Sequence, residues 1–252
     1  MITFANTTIE LGGKVIVEDL NFSIGKGEFV CIIGASGCGK TQRGGLAAGL
    51  YQPSDGKVTF DGKPMSAPRR YIAIIFQDYG KALLPWRTAA GNVSLALEAA
   101  GVPSARRAPR IAELLAKVGL PDHAGKYPAE MSGGMQQRLQ IARCLAQDPV
   151  ALLMDEPFGA LDAMTRQGLQ DEVLSLVAAS GATVLFVTHD LEEAIYLGDR
   201  VIGLLPHPGR IGIEVKVDLP RPRDQLTTRE QPEFLALRRE LFDFIKRSEG
   251  KH

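Results

Sequence analysis

Three stretches of this chain carry residues whose types and spacing suit phosphate chemistry. The first is Gly34-Ala35-Ser36-Gly37-Cys38-Gly39-Lys40-Thr41, which fits the spacing G-x-x-x-x-G-K-[ST]. Its glycines let the backbone wrap closely around phosphate. Lys40 reaches the β- and γ-phosphates, and the Thr41 hydroxyl suits Mg²⁺. The helix expected after it starts with unpaired N–H groups and the positive end of its dipole, both of which favour an anion.

The second stretch is Asp155-Glu156, at the end of the apolar run Ala151-Leu152-Leu153-Met154. A hard cation such as Mg²⁺ takes oxygen ligands and keeps several waters, so Asp155 suits it directly or through water. Glu156 then orients or deprotonates an attacking water. The third is Met131-Ser132-Gly133-Gly134-Met135-Gln136-Gln137-Arg138, a second Ser/Gly-rich helix start and a second anion site. One nucleotide core with two phosphate sites suggests that one of them serves a partner subunit. Gln77 follows an apolar strand, where its amide can touch a metal and a water. His189 follows Val184–Thr188, from where it can hydrogen-bond a γ-phosphate oxygen. Asp190 with Glu193 is a candidate helix cap.

The elements that must position these groups are legible. Phe29-Val30-Cys31-Ile32-Ile33 reads as a buried parallel strand leading into the glycine loop. Residues 2–30 alternate short apolar runs with turns, and Asp55-Gly56 and Asp61-Gly62 bracket Lys57–Phe60. Both patterns are antiparallel. Tyr71–Phe76 reads as a strand ending at Gln77. From about 88 to 147 the pattern is helical, with Ile111, Leu114, Leu115 and Val118 on one face. Pro103, Pro109, Pro121 and Pro128 are expected to divide this region into short helices, and Ser132 to begin a longer one. Residues 150–205 alternate strand and helix, which implies a parallel sheet. Residues 206–223 are rich in Pro, Gly and Arg. A last amphipathic helix is expected over Pro232–Arg247, with Phe234, Leu237, Leu241 and Ile245 inward.

Composition narrows the function classes. The 252 residues carry 29 Lys+Arg and 29 Asp+Glu, so no global basic field points to nucleic acid. The longest apolar runs fall far short of the ~18 residues that cross a bilayer. The first residues lack a secretory signal, and a cytoplasmic location is expected. The three cysteines, Cys31, Cys38 and Cys144, read as reduced thiols without metal-ligand spacing.

Taken in order, GASGCGKT, Gln77, MSGGMQQR, ALLMDEP, GALD and His189 resemble the nucleotide-binding subunit of an ABC transporter. FQDYGKALLPWRT and VDLPRPRD resemble, more narrowly, the nitrate/sulfonate/taurine-type importer ATPases. The resemblance covers about residues 1–225. It implies an α/β P-loop NTPase core with a parallel sheet, an N-terminal antiparallel β lobe and a helical lobe inserted at about 88–147. Residues 226–252 are expected to form a helical tail. The resemblance further concerns cofactors and site residues. It implies ATP and Mg²⁺ as cofactors. Residues Gly34 to Thr41, with Gln42, hold ATP; Thr41 and Gln77 ligate Mg²⁺ with support from Asp155. Glu156 is the base, Gln77 assists the water, and His189 contacts the γ-phosphate. Ser132, Gly133, Gly134 and Gln136 close on ATP bound by a second copy of the chain, and Asp162 in GALD links the two sites. Further implied partners are membrane permease subunits and, indirectly, a periplasmic or extracellular solute-binding protein. The chain would sit peripherally on the inner face of the cell membrane, and Leu83-Leu84-Pro85-Trp86 is a candidate permease contact.

Two departures from the family pattern stand out. After Lys40 the family usually shows Ser-Thr-Leu-Leu-Arg; here Thr41-Gln42-Arg43-Gly44-Gly45 puts two glycines in a helix, each costing about 1 kcal/mol relative to Ala. This is either a tolerated weakness or the mark of a slow ATPase. Leu11 falls where an aromatic normally stacks on adenine, leaving aliphatic packing. The alternatives are a regulatory or weakly hydrolytic ABC-type subunit, and a soluble ABC-type ATPase not coupled to transport.

Overall fold

The computed structural model describes residues 1–34, 52–75, 82–159 and 161–249. In chain order the strands and helices are β1 (Ile2–Leu11), β2 (Lys14–Ile24), β3 (Phe29–Gly34), β4 (Asp55–Phe60), β5 (Lys63–Pro64) and β6 (Ile72–Ile75). Then come α1 (Ala89–Ala99), α2 (Ser104–Lys117), α3 (Gly133–Leu145), β7 (Ala151–Asp155) and α4 (Ala163–Ser180). The chain continues through β8 (Thr183–Val187), α5 (Leu191–Leu197), β9 (Arg200–Leu205), β10 (Arg210–Lys216) and α6 (Pro232–Glu249). They fall into two compact bodies, Met1–Arg69 with Gly181–His252, and Arg70–Ser180.

In the first body β2, β1, β4 and β5 form an antiparallel sheet in that order. The buried face of β1 switches parity, from Ile2 and Phe4 to Thr7 and Ile9. Asn6 makes the switch: it adopts φ 48°, and the register with both neighbours shifts there. Thr7 is thereby turned inward, where its hydroxyl donates to the Lys57 carbonyl at 3.0 Å. Phe4 and Phe22, opposite each other in register, stack at 4.4 Å.

The same body holds parallel strands. β3 pairs with β8 on one side and β9 on the other. β3 and β8 are buried along their whole length, as continuous apolar runs in parallel sheets require. β10 adds an antiparallel edge strand within the Pro/Gly/Arg-rich stretch, where no strand is expected from sequence. α6 buries Phe234, Leu237, Leu241 and Phe244, whereas Ile245 is only half-buried. The reason is local. A Cβ on Gly203 or on Gly212 would lie 2.6 Å from a Phe244 ring carbon, so two glycines of β9 and β10 leave room for that ring.

In the second body β6 and β7 pair in parallel, and β7 is fully buried. α1 starts at Thr88, whose hydroxyl accepts from the Gly91 N–H at 3.1 Å. Pro109 does not divide the helices, contrary to expectation: it lies inside α2. Both Pro109 and Ala105, whose carbonyl loses its intrahelical partner, are exposed, so water can satisfy the freed group. α4 runs over 18 residues from Ala163 to Ser180. Among the described residues no helix is long and apolar enough to cross a membrane.

Candidate functional site

Gly34 is the buried last residue of β3 and lies opposite Leu204 of β9. On the other side, Ile32 is in register with Val187 of β8, and the Thr188 N–H donates to the Ile32 carbonyl at 3.1 Å. Gly34 and His189 therefore leave the C-terminal ends of adjacent parallel strands. Ala35, Ser36, Gly37, Cys38, Gly39, Lys40, Thr41 and Gln42 lie outside the described residues, as do Arg43, Gly44, Gly45 and Gln77. Leu11 ends β1 opposite Lys14 and is 42% exposed, next to the Gly12-Gly13 turn.

His189 is exposed, and its backbone is held on both sides. The Thr188 hydroxyl donates to the buried Glu193 carboxylate and accepts from the Asp190 N–H at 3.0 Å. Asp190 caps α5, accepting from the N–H groups of Glu192 at 2.9 Å and Glu193 at 3.1 Å. The expected cap residue is thus Asp190, but Glu193 points to Thr188. The Asp190 N–H, which a Glu193 carboxylate would accept in a capping box, is taken by the Thr188 hydroxyl.

In the second body Asp155 closes β7 and is 7% exposed. Glu156, half-buried, adopts φ 44°. A non-glycine residue in the left-handed region costs about 1–3 kcal/mol and turns the chain off the strand line. The Gly159 N–H returns to the Glu156 carbonyl at 3.3 Å, closing the turn. The donors that sequence nominates for a cation, the Asp155 carboxylate with the Thr41 hydroxyl and the Gln77 amide oxygen, are all hard oxygens, which fits Mg²⁺.

Ser132 caps α3, its hydroxyl accepting from the Met135 N–H at 3.3 Å, and it remains exposed. Gly133 and Gly134 form the first turn and are half-buried. A Cβ on Gly134 would lie 2.8 Å from Thr165 Cγ2, so this glycine sets how closely α4 approaches. Gln136 turns back, donating to the carbonyls of Pro128 at 2.9 Å and Met131 at 3.2 Å. Asp162 caps α4 through the Thr165 N–H at 3.0 Å, and that bond, with the Thr165 hydroxyl, holds its carboxyl below the usual range. Sequence alone gives no hint of the packing role of Gly134 or the fold-back of Gln136, whereas an Asp ahead of a helix, as at Asp162, is a preferred cap type.

Burial pushes the Cys31 thiol well up and the Cys144 thiol to about 12, so both are inert core groups. Cys38 lies outside the described residues. Asn92 is fully buried. Its Oδ1 accepts from the Leu84 N–H at 2.9 Å, and its Nδ2 donates to the carbonyls of Leu84, Arg87 and Thr88 at 3.1–3.2 Å. This clamp leaves Leu83 buried, Leu84 half-buried and Trp86 71% exposed.

The ABC transporter family model matches residues 17–159. The aliphatic sulfonates import ATP-binding protein SsuB 2 of Burkholderia cenocepacia is 44% identical, over 94% of this chain and 84% of that protein. The nitrate import ATP-binding protein NrtD of Synechococcus elongatus is 41% identical, over 94% of this chain and 86% of that one. The solved dimeric structure of the ATP-binding cassette MJ0796, in a post-hydrolysis state bound to ADP and Pi, superposes with a TM-score of 0.75. It is 32% identical and covers 86% of this chain and 99% of its own. The chain belongs to the ABC transporter family, as an ATP-binding subunit similar to those of nitrate and sulfonate importers.

Proposed function

We propose that this chain hydrolyses ATP to drive solute import, as two copies closing head to tail on two ATP molecules. The observation that carries the reading is the placement of Gly34 and His189 at the C-terminal ends of adjacent parallel strands. In open α/β sheets, ligands bind outside those ends. Lys40 and the amides from Gly34 to Gln42 hold the phosphates, and Leu11 gives aliphatic packing to adenine. Thr41, Gln77 and Asp155 hold Mg²⁺, which when bound neutralises charge building on the transferred phosphoryl group. Glu156 takes the proton of the attacking water, Gln77 orients that water, and His189 donates to a γ-phosphate oxygen. The left-handed turn at Glu156 supports this role, because it turns the chain off the strand line directly after Asp155.

Ser132, Gly133, Gly134 and Gln136 face the ATP of the partner copy, and Asp162 joins the two sites. The dimeric state of the MJ0796 cassette supports the pairing. The permease contact is the loop that Asn92 clamps, with Trp86 as its apolar tip. The import named for the SsuB 2 and NrtD relatives supports a transport role, with the chain peripheral on the inner face of the membrane. A solute-binding protein acts only indirectly, through the permease. A formal net charge of zero offers nothing to nucleic acid.

The test is phosphate release by the purified chain. Turnover with ATP and Mg²⁺ that stops on chelation supports the reading, and no release under either condition refutes it.

A further inference from the structure

α5 has seven residues, too few to be stable on its own caps and propensity. Its C-terminal end is held by the segment that follows β10. Arg223 Nη1 donates to the carbonyls of Ile195 at 3.2 Å, Tyr196 at 2.7 Å and Gly198 at 2.8 Å. Arg221 donates from Nη2 to the Leu197 carbonyl at 3.0 Å and to Asp199 Oδ1 at 2.7 Å. Asp199 in turn accepts the Phe29 N–H at 2.9 Å, which ties this end to the first residue of β3. Cations at carbonyl-rich helix ends satisfy the orphan acceptors and complement the dipole. Further on, Arg229 and Arg238 pair with Glu192 at 2.8 and 3.0 Å, and Arg229 lies over the Tyr196 ring at 5.1 Å. At the other end of the same helix, Asp190 and Glu193 fix the backbone on either side of His189.

We propose that Arg223 is a positioning residue for His189, acting through α5. This rests on the reading of His189 as the γ-phosphate contact. The guanidinium meets three carbonyls at once, so it sets where the last turn ends. With that end fixed and Asp190 fixed at the start, the whole short helix is constrained, and His189 with it. Without Arg223 the last turn frays, Glu193 moves, and the Thr188–Glu193 bond that brackets His189 loosens. The effect falls on turnover and spares ATP binding, because the phosphate loop leaves β3 and not α5.

The experiment uses the full chain with Arg223→Met, Arg223→Lys, His189→Ala and the Arg223→Met/His189→Ala double variant. Imidazole NMR signals are followed without nucleotide, and kcat and KM for ATP with it. The expected result is that Arg223→Met moves or broadens the His189 signal while those of His123 and His207 stay in place. Turnover falls on the order of tenfold with KM changed by less than about twofold. Arg223→Lys, a single-point donor of the same charge, recovers part of kcat. In the His189→Ala background, Arg223→Met adds less than about a twofold loss. An unmoved His189 signal in folded Arg223→Met, or a full extra loss in the double variant, overturns the proposal while leaving His189 in its role. If His189→Ala keeps full turnover, the underlying reading fails and the proposal falls with it. If Arg223→Met does not fold, the decision passes to Arg223→Lys: native KM with lowered kcat and a shifted His189 signal sustains the proposal, and native values throughout overturn it.

Discussion

Thr188 and Glu193 are joined by a hydrogen bond from hydroxyl to buried carboxylate, and the chain between them contains His189 and the α5 cap. One hydroxyl thus serves both sides of an exposed histidine, since it also accepts the Asp190 N–H. Thr188→Val keeps the side-chain shape but removes donor and acceptor together. We expect a loss of about 1–3 kcal/mol in urea unfolding, the usual cost of stripping a partner from a buried charged group. Thr188→Ser should lose less than half of that. A loss for Thr188→Ser as large as that for Thr188→Val would show that the methyl packing matters as much as the hydroxyl, and a stable Thr188→Val would remove the hydroxyl from the account.

Gly134 has a packing reason to be glycine, separate from any contact with nucleotide. Gly134→Ala places a methyl against Thr165 Cγ2, and overpacking of this kind typically costs about 1–3 kcal/mol. Adding Thr165→Ser removes the opposing methyl and should restore most of the stability by thermal unfolding, while leaving the hydroxyl beside Asp162. If turnover stays low in the restored double variant, the small side chain is needed at the nucleotide as well. If stability is not restored, the steric account of this glycine is wrong.

Glu113 on α2 pairs with Lys117 at 2.7 Å and with Arg110 at 2.8 Å. The Lys117 hydrogen bond first, and then that of Arg110, hold its carboxyl down at about 2. The folded value lies below the unfolded one of about 4.3, so the pair's contribution is fully present above that pH. It is lost as pH falls through about 2. The group is close to half exposed, and solvent screening keeps the contribution small. The melting-temperature gap between the native chain and Glu113→Gln should therefore close between about pH 4.5 and 2. A gap that stays constant over that range would remove the ion pair from the account.

Much of the fold is legible in the sequence where one local signal decides the outcome. β3, β7 and β8 are built on the apolar runs Phe29–Ile33, Ala151–Met154 and Val184–Val187, and each strand is buried along its length. Ser132 and Asp190 announce helix starts, and both accept from the first turn. What sequence conceals depends on partners distant in the chain. β10 hides in a Pro/Gly/Arg-rich stretch because an edge strand needs only one neighbour and tolerates charge. Phe244 turns inward because two glycines on other strands make room, which helical spacing alone does not reveal. Pro109 reads as a breaker, yet exposure of the freed carbonyl lets α2 continue through it. In the candidate site the chemistry-bearing types are legible at Asp155, Glu156, Ser132 and His189. The residues that hold them, such as Thr165 behind Gly134 and Arg223 behind α5, are not, because nothing in their local sequence announces the contact.

The central claim is tested most directly at Glu156. In the Glu156→Gln variant the turn and the neighbouring Asp155 remain, and only the proton acceptor is lost. We predict that steady-state phosphate release falls at least about a hundredfold, while ATP with Mg²⁺ is still bound and now holds two copies together, seen as a doubled mass in solution. Phosphate release within about threefold of the native chain would contradict the account.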